Sequence, residues 1–171
     1  TCTNRALYSN DFANAVWVIS NDTDLTGNGA DTGSSSPDGV ATATSITAAV
    51  GNGTMIQTYT TAADIYTASL WIKRKTGSGT INLKANGADS YTDITAYVLA
   101  DTWTRVQVTS SSAENPCLNL QIVTQNDAVY VYGAQLESDQ YSLGATSYTP
   151  SSAGTARVRN PDILSHLIAN N

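Results

Sequence analysis

Short segments that alternate strictly between polar and apolar residues constrain this chain more than any other feature. In "IYTASLWIK", Tyr66, Ala68, Leu70 and Ile72 fall on one face, and Ile65, Thr67, Ser69 and Trp71 on the other. "TINLKA" gathers Ile81, Leu83 and Ala85. "WTRVQVT" sets Thr104, Val106 and Val108 against Trp103, Arg105 and Gln107. "CLNLQIV" aligns Leu118, Leu120 and Ile122, and "VYVYGAQL" follows the same rule from Val129. A period of two marks an extended strand with one buried face. Between these segments lie turn formers: "TGNGADTGSSSPDG", "GNG", "TGSG", "NGAD" and "SSSAENP".

Strands of this length and spacing argue for an all-β sandwich or barrel. One apolar face per strand argues for antiparallel sheets covered on one side, and stacking two such sheets buries both faces. The expected fold is a two-sheet antiparallel β-sandwich over residues 1–159, followed by an attachment segment over 160–171. "IKRKTGSGTINLK" reads as a hairpin with Gly77 and Gly79 in its turn, and with Lys73, Arg74 and Lys75 protecting an edge. The tail "NPDILSHLIANN" opens with Pro161 and Asp162, as helices do, and repeats Ile163, Leu164, Leu167 and Ile168 at helical spacing. It reads either as a short helix or tail packed on the sandwich, or as a segment that docks on a neighbouring subunit.

Charged residues are 13% of the 171, about half the usual share of about 25%. Thr, Ser, Ala, Asn and Gly take their place, which suits neutral sheet faces and turns. The net charge is −6, and the eight basic residues form no stripe to displace counterions from a nucleic acid. No apolar run approaches the ~20 residues of a membrane span. The opening residues lack a signal pattern, and the chain starts on Thr1, which leaves open a processed protein or a piece of a longer one.

Enzyme signatures are thin. Most of the fourteen acidic residues sit among Gly, Asn and Ser, where carboxylates usually form turns. His166 is the single histidine, no G-x-S-x-G elbow is present, and "GNGADTG" lacks the lysine of a phosphate loop. The expectation is a chain without catalytic residues. Cys2 and Cys117 are the only cysteines, read either as two free thiols or as a disulfide joining the N-terminal segment to a late strand.

Aromatic side chains carry the recognition chemistry. Tyr130 and Tyr132 share a face of "VYVYG", and Tyr91 and Tyr97 share one of "YTDITAYVL". Such rings pack a core or stack on sugars. These four are the sugar-contacting candidates.

Four stretches in order, "RALYSNDFANAVWVIS", "SSSPDGVATATSI", "YTASLWIKRKTGSGTINL" with "DTWTRVQVT", and "VYVYGAQLESDQYSLGATSYTPSSAGTARVR", are similar to a jelly-roll domain of tailed-bacteriophage structural proteins. That domain resembles carbohydrate-binding modules and occurs in tail fibres, tail-associated proteins and head decorations. The resemblance covers about residues 5 to 159. It implies a non-enzymatic virion-surface module that binds host glycans or cements neighbouring capsid or tail proteins, as a homo-oligomer, with trimers common among phage appendages. The alternative is a carbohydrate-binding module of a secreted glycoside hydrolase. In many jelly-roll binding modules the first and last strands are neighbours. That would bring Asn10 and Asp11 to Glu137, an oxygen set suited to a structural Ca²⁺. The plainer reading is that Glu137 caps a solvated strand end.

Overall fold

The computed structural model describes residues 2–20, 23–26, 34–40, 43–112, 114–138, 144–151 and 157–159, with backbone alone at 2, 23–26 and 157–159. The chain forms β1 (Cys2–Asn4), β2 (Val18–Ser20), β3 (Thr23–Thr26), β4 (Thr44–Ala48), β5 (Gly53–Thr58) and β6 (Tyr66–Thr76). Then come β7 (Ile81–Asn86), β8 (Thr92–Asp93), β9 (Thr104–Thr109), β10 (Pro116–Ile122), β11 (Ala128–Ser138) and β12 (Arg157–Arg159). A 3₁₀ turn at Thr95–Tyr97 is the helical element among the described residues. None of these has a helix long and apolar enough to cross a membrane. Residues 160–171, with Ile163, Leu164, Leu167 and Ile168, lie outside the described residues.

Two five-stranded sheets form, in the orders β2-β5-β10-β7-β8 and β3-β4-β11-β6-β9, and β1 pairs with β12. Every pairing is antiparallel. Four of them are nested: β7 with β8, β6 with β9, β5 with β10 and β4 with β11. This is one long folded hairpin, rolled so that β11 meets β6 and β10 meets β7. That winding is a jelly roll, so the expected all-β sandwich is the fold.

The 77–80 link is not a hairpin. It carries the chain from one sheet to the other, because β6 is already flanked by β11 and β9, and β7 by β10 and β8. β6 is an inner strand, but its pairing with β9 ends at Ile72↔Thr104, so the three basic residues lie where β11 is its one paired strand. The link closes over Asp127, and a Cβ at Gly77 would stand 1.8 Å from its Oδ1. Asp127 Oδ2 accepts from the Gly79 N–H at 2.6 Å and pairs with buried Arg74 at 3.4 Å. Arg74 also donates to the Gly79 carbonyl at 2.9 Å.

The inward faces match the alternation. Tyr66, Ala68, Leu70 and Ile72 meet Ile81, Leu83, Ala85, Leu118, Leu120 and Ile122 across the sandwich. Each fully buried large apolar side chain contributes roughly 1.5–3 kcal/mol. Phe12 and Trp17 plug the core with ring centroids 5.1 Å apart, from a turn-rich segment.

The glycine in "VYVYGAQLE" is a β-bulge. Three steps from Tyr132 to Gln135 on β11 oppose two from Trp71 to Ser69 on β6, and Gly133 has φ +64. The extra residue shifts the alternation by one. Val129 and Val131 point inward before the bulge, and Ala134 and Leu136 after it. Tyr130, Tyr132, Gln135 and Glu137 are thereby all turned to the outer face.

Candidate functional site

That outer face of the second sheet is covered by two segments. Residues 34–40 approach from one side: Trp103 Nε1 donates to the Ser35 carbonyl at 2.9 Å, Lys73 Nζ to Ser34 Oγ at 2.5 Å, and the Tyr132 hydroxyl to Asp38 Oδ2 at 2.6 Å. Residues 144–151 cross the other end. The Thr149 N–H donates to Gln135 Oε1 at 2.8 Å, and Tyr148 packs edge-on to Tyr132 with centroids 5.6 Å apart.

Glu137 belongs to this second cover. It is 4% exposed and still within β11. Its Oε2 accepts from the Thr146 N–H at 2.9 Å and its Oε1 from Thr146 Oγ1 at 2.6 Å. Arg105 donates to the Thr146 carbonyl at 2.5 Å and to Ser69 Oγ at 3.0 Å. The carboxylate anchors the closing segment instead of capping a solvated end.

Two of the three proposed calcium ligands, Asn10 and Glu137, are engaged by different partners. Asn10 Oδ1 accepts from the Gly133 N–H at 2.8 Å and from the Tyr148 hydroxyl at 2.9 Å, whereas both Glu137 oxygens are taken by Thr146. Asp11 Oδ1 is buried without a hydrogen-bond partner. No group of three His, Cys, Asp or Glu suited to a metal exists among the described residues. The Asn10 and Glu137 oxygens, already filled by N–H and O–H donors, do not fit a cation shell.

The four tyrosines separate into three places. Tyr91 lies on the outer face of the first sheet, donating to Asn119 Oδ1 at 3.1 Å, with Lys84 Nζ 4.6 Å from its ring centroid. Tyr130 and Tyr132 are 9% and 7% exposed under their covers. Burial, and then the hydrogen bond to the Asp38 carboxylate, push the Tyr132 hydroxyl up to about 12. Burial also raises Tyr148. Tyr97 alone of the four stands open, at 61% exposure. Tyr91 and Tyr97 do not share a strand face because only Thr92–Asp93 is extended before the 3₁₀ turn.

Tyr97 stands over an open cleft of about 370 Å³ between the edges of the two sheets. Thr92, Asp93, Ile94 and Tyr97 line one wall, and Arg105, Val106 and Gln107 the other. Asp93 starts the 3₁₀ turn by accepting from the Thr95 N–H at 2.8 Å and from Thr95 Oγ1 at 2.5 Å. Those hydrogen bonds hold its carboxyl below the usual range. Gln107 Oε1 accepts from the Ala145 N–H at 2.8 Å. The cleft offers an exposed ring beside the Asp93 carboxylate and the exposed Gln107 side chain, while the guanidinium of Arg105 is turned to Thr146 and Ser69. Sequence reasoning missed Asp93, Arg105 and Gln107 as site residues. The polar side of "WTRVQVT" and the Asp93-x-Thr95 turn signal were the clues available.

Cys117 is a buried free thiol, so no bridge to Cys2 forms. Burial pushes that thiol up to about 11, which keeps it protonated and unreactive near neutrality. His166 lies outside the described residues.

No protein-family model matches the chain, and no curated protein does. Among solved structures, the chain is similar to the enzymatically active domain of tailspike protein 4 of bacteriophage CBA120, with a TM-score of 0.52 and 13% identity over 78% of this chain and 21% of that one. It is similar to a variant of a family 29 carbohydrate-binding module, with a TM-score of 0.52 and 11% identity over 81% and 91% of the two chains. It is also similar to the CBM22-1–GH10 modules of Clostridium thermocellum endo-1,4-beta-D-xylanase 10B complexed with xylohexaose, with a TM-score of 0.50 and 13% identity over 85% and 29%. The chain thus spans about a fifth of the tailspike structure and under a third of the xylanase structure. At these identities the likeness establishes the fold, a jelly roll of the carbohydrate-binding-module kind.

Proposed function

We infer that this chain is a non-catalytic adhesion module of a bacteriophage virion, displayed on the particle surface as part of a tail fibre or head decoration. It binds host-surface glycans through the Tyr97 cleft, and its other faces pack against neighbouring virion proteins as a homo-oligomer, a trimer in the simplest arrangement. The observation that carries the reading is the pairing of an exposed ring with planar polar groups in an open cleft. A sugar ring presents an apolar face to stack and hydroxyls to hydrogen-bond, and Tyr97 with Asp93 and Gln107 supplies both kinds of partner. The cleft volume falls within the range of small-ligand sites, about 300–1,000 Å³. Its walls hold one carboxylate, Asp93, whereas acid–base glycoside hydrolysis uses two at about 5–9.5 Å.

A second reading, a carbohydrate-binding module of a secreted glycoside hydrolase, is favoured by length. The chain spans 91% of the family 29 module but 21% of the tailspike structure. Both readings share the glycan cleft and differ in where the chain resides.

A glycan array probed with the full chain and with Tyr97→Ala tests the shared part. Loss of a stacked ring is expected to weaken binding about tenfold. Binding to no glycan, or unchanged binding by the variant, contradicts it. Finding the chain within intact particles separates the virion reading from the hydrolase one.

A further inference from the structure

Asp93 uses one carboxylate oxygen and leaves the other open to the cleft. Oδ1 accepts both from the Thr95 N–H at 2.8 Å and from Thr95 Oγ1 at 2.5 Å, and Oδ2 takes no hydrogen bond among the described residues. The Arg74–Asp127 pair is the one salt bridge among those residues, so the Asp93 charge has no cation paired with it there. The Thr95 hydrogen bonds hold the carboxyl below its usual range, which keeps it ionised near neutrality. Four residues on, past the 3₁₀ turn, Tyr97 presents its ring on the same wall at 61% exposure. The one cationic side chain of the lining, Arg105, donates to the Thr146 carbonyl and Ser69 Oγ, and the nearby Glu137 carboxylate offsets its charge. Gln107 is neutral, with its Oε1 taken by the Ala145 N–H.

An ionised carboxylate beside an open aromatic face attracts one kind of ligand group more than any other. A cation gains from the ring quadrupole and from a charge-assisted hydrogen bond to the carboxylate. A neutral hydroxyl can satisfy the open oxygen but gains nothing from the quadrupole, and an acidic sugar is repelled. The net charge of −6 works in the same direction. We propose that Asp93 and Tyr97 form an ammonium subsite within the cleft, and that the glycan it takes carries a free amino sugar, a hexosamine with an unacetylated nitrogen. That nitrogen donates to Asp93 Oδ2 and lies against the Tyr97 ring. The subsite deepens, and rests on, the glycan-binding reading of the cleft.

The test is titration of the full chain with the β-1,4-linked trimer of glucosamine and with its fully N-acetylated counterpart, at about pH 6, where the free amine is protonated. The two probes share a backbone and differ in charge. The expected result is about fivefold tighter binding of the amine form, with the difference shrinking as salt rises from about 20 to about 300 mM. Asp93→Asn keeps an acceptor for Thr95 and brings the two probes to equal affinity. Glu114→Gln removes the same charge at an exposed position outside the cleft and retains the preference. Equal affinity for the two probes, a preference that survives Asp93→Asn, or one lost equally in Glu114→Gln overturns the subsite. Equal affinity that Tyr97→Ala lowers for both probes leaves the cleft reading standing. Binding of neither probe overturns the subsite, and the glycan array then decides the cleft by itself.

Discussion

Gly133 donates its backbone N–H to Asn10 Oδ1 at 2.8 Å, and Tyr148 donates its hydroxyl to the same oxygen at 2.9 Å. One side-chain oxygen near the N-terminus thereby fixes both the bulge of β11 and the segment that closes over it. Asn10→Ala leaves a sequestered backbone donor without its acceptor. The expected loss of stability is about 1–3 kcal/mol in urea unfolding. Asn10→Asp keeps an acceptor and is expected to lose less.

The bulge itself is a second test. Gly133 has φ +64, and a Cβ there would stand 3.3 Å from Trp71 Cδ1 and from Tyr148 Cζ. Gly39 has φ +82 with nothing within 4 Å of its would-be Cβ. Gly39→Ala is expected to cost about 1–2 kcal/mol, the backbone penalty alone. Gly133→Ala is expected to cost more, because the rings must also move. Denaturant midpoints of the two variants measure the difference.

Arg74 and Asp127 are both buried on one another and on the Gly79 backbone. Asp127→Ala strands a guanidinium away from water, and about 3–5 kcal/mol of stability is expected to be lost. Replacing both partners with Met and Leu removes the stranded charge. The double variant is expected to be more stable than Asp127→Ala, as thermal melts will show.

Buried Tyr132 and half-buried Tyr148 are expected to limit stability at alkaline pH. The folded Tyr132 hydroxyl is pushed up to about 12 by burial and by Asp38, and burial raises Tyr148 too. An unfolded tyrosine titrates near pH 10. The folded state therefore holds these protons more tightly. Their contribution is complete below about pH 10 and is lost as pH rises through the folded values. Stability is expected to fall between about pH 10 and 12, with a shallower fall in Tyr132→Phe.

Much of the sandwich is legible in the chain because one side of each main strand is covered by core. Tyr66 to Ile72, Ile81 to Ala85 and Leu118 to Ile122 declare their inward faces by alternation alone. The winding is less legible. A glycine turn such as 77–80 looks the same whether it joins hairpin partners or crosses between sheets, and only the flanking of β6 and β7 on both sides decides. Glu137 resisted reading because its partner, Thr146, comes from a segment with no periodicity of its own. The four tyrosines failed as one face for a different reason. Alternation treats "YTDITAYVL" as continuous strand, while the Asp93–Thr95 hydrogen bonds turn it into a 3₁₀ turn. The tail at 160–171 carries a pattern but lies outside the described residues.

Amide chemical-shift mapping during titration of the ¹⁵N-labelled chain with a glycan it binds tests the central claim most directly. The account predicts that the largest shifts fall on Thr92 to Tyr97 and on Arg105 to Gln107, the two walls of the cleft, with no shortening of the glycan. Shifts confined to the outer face of the first sheet around Tyr91 and Asn119, or release of cleaved sugar, would contradict it.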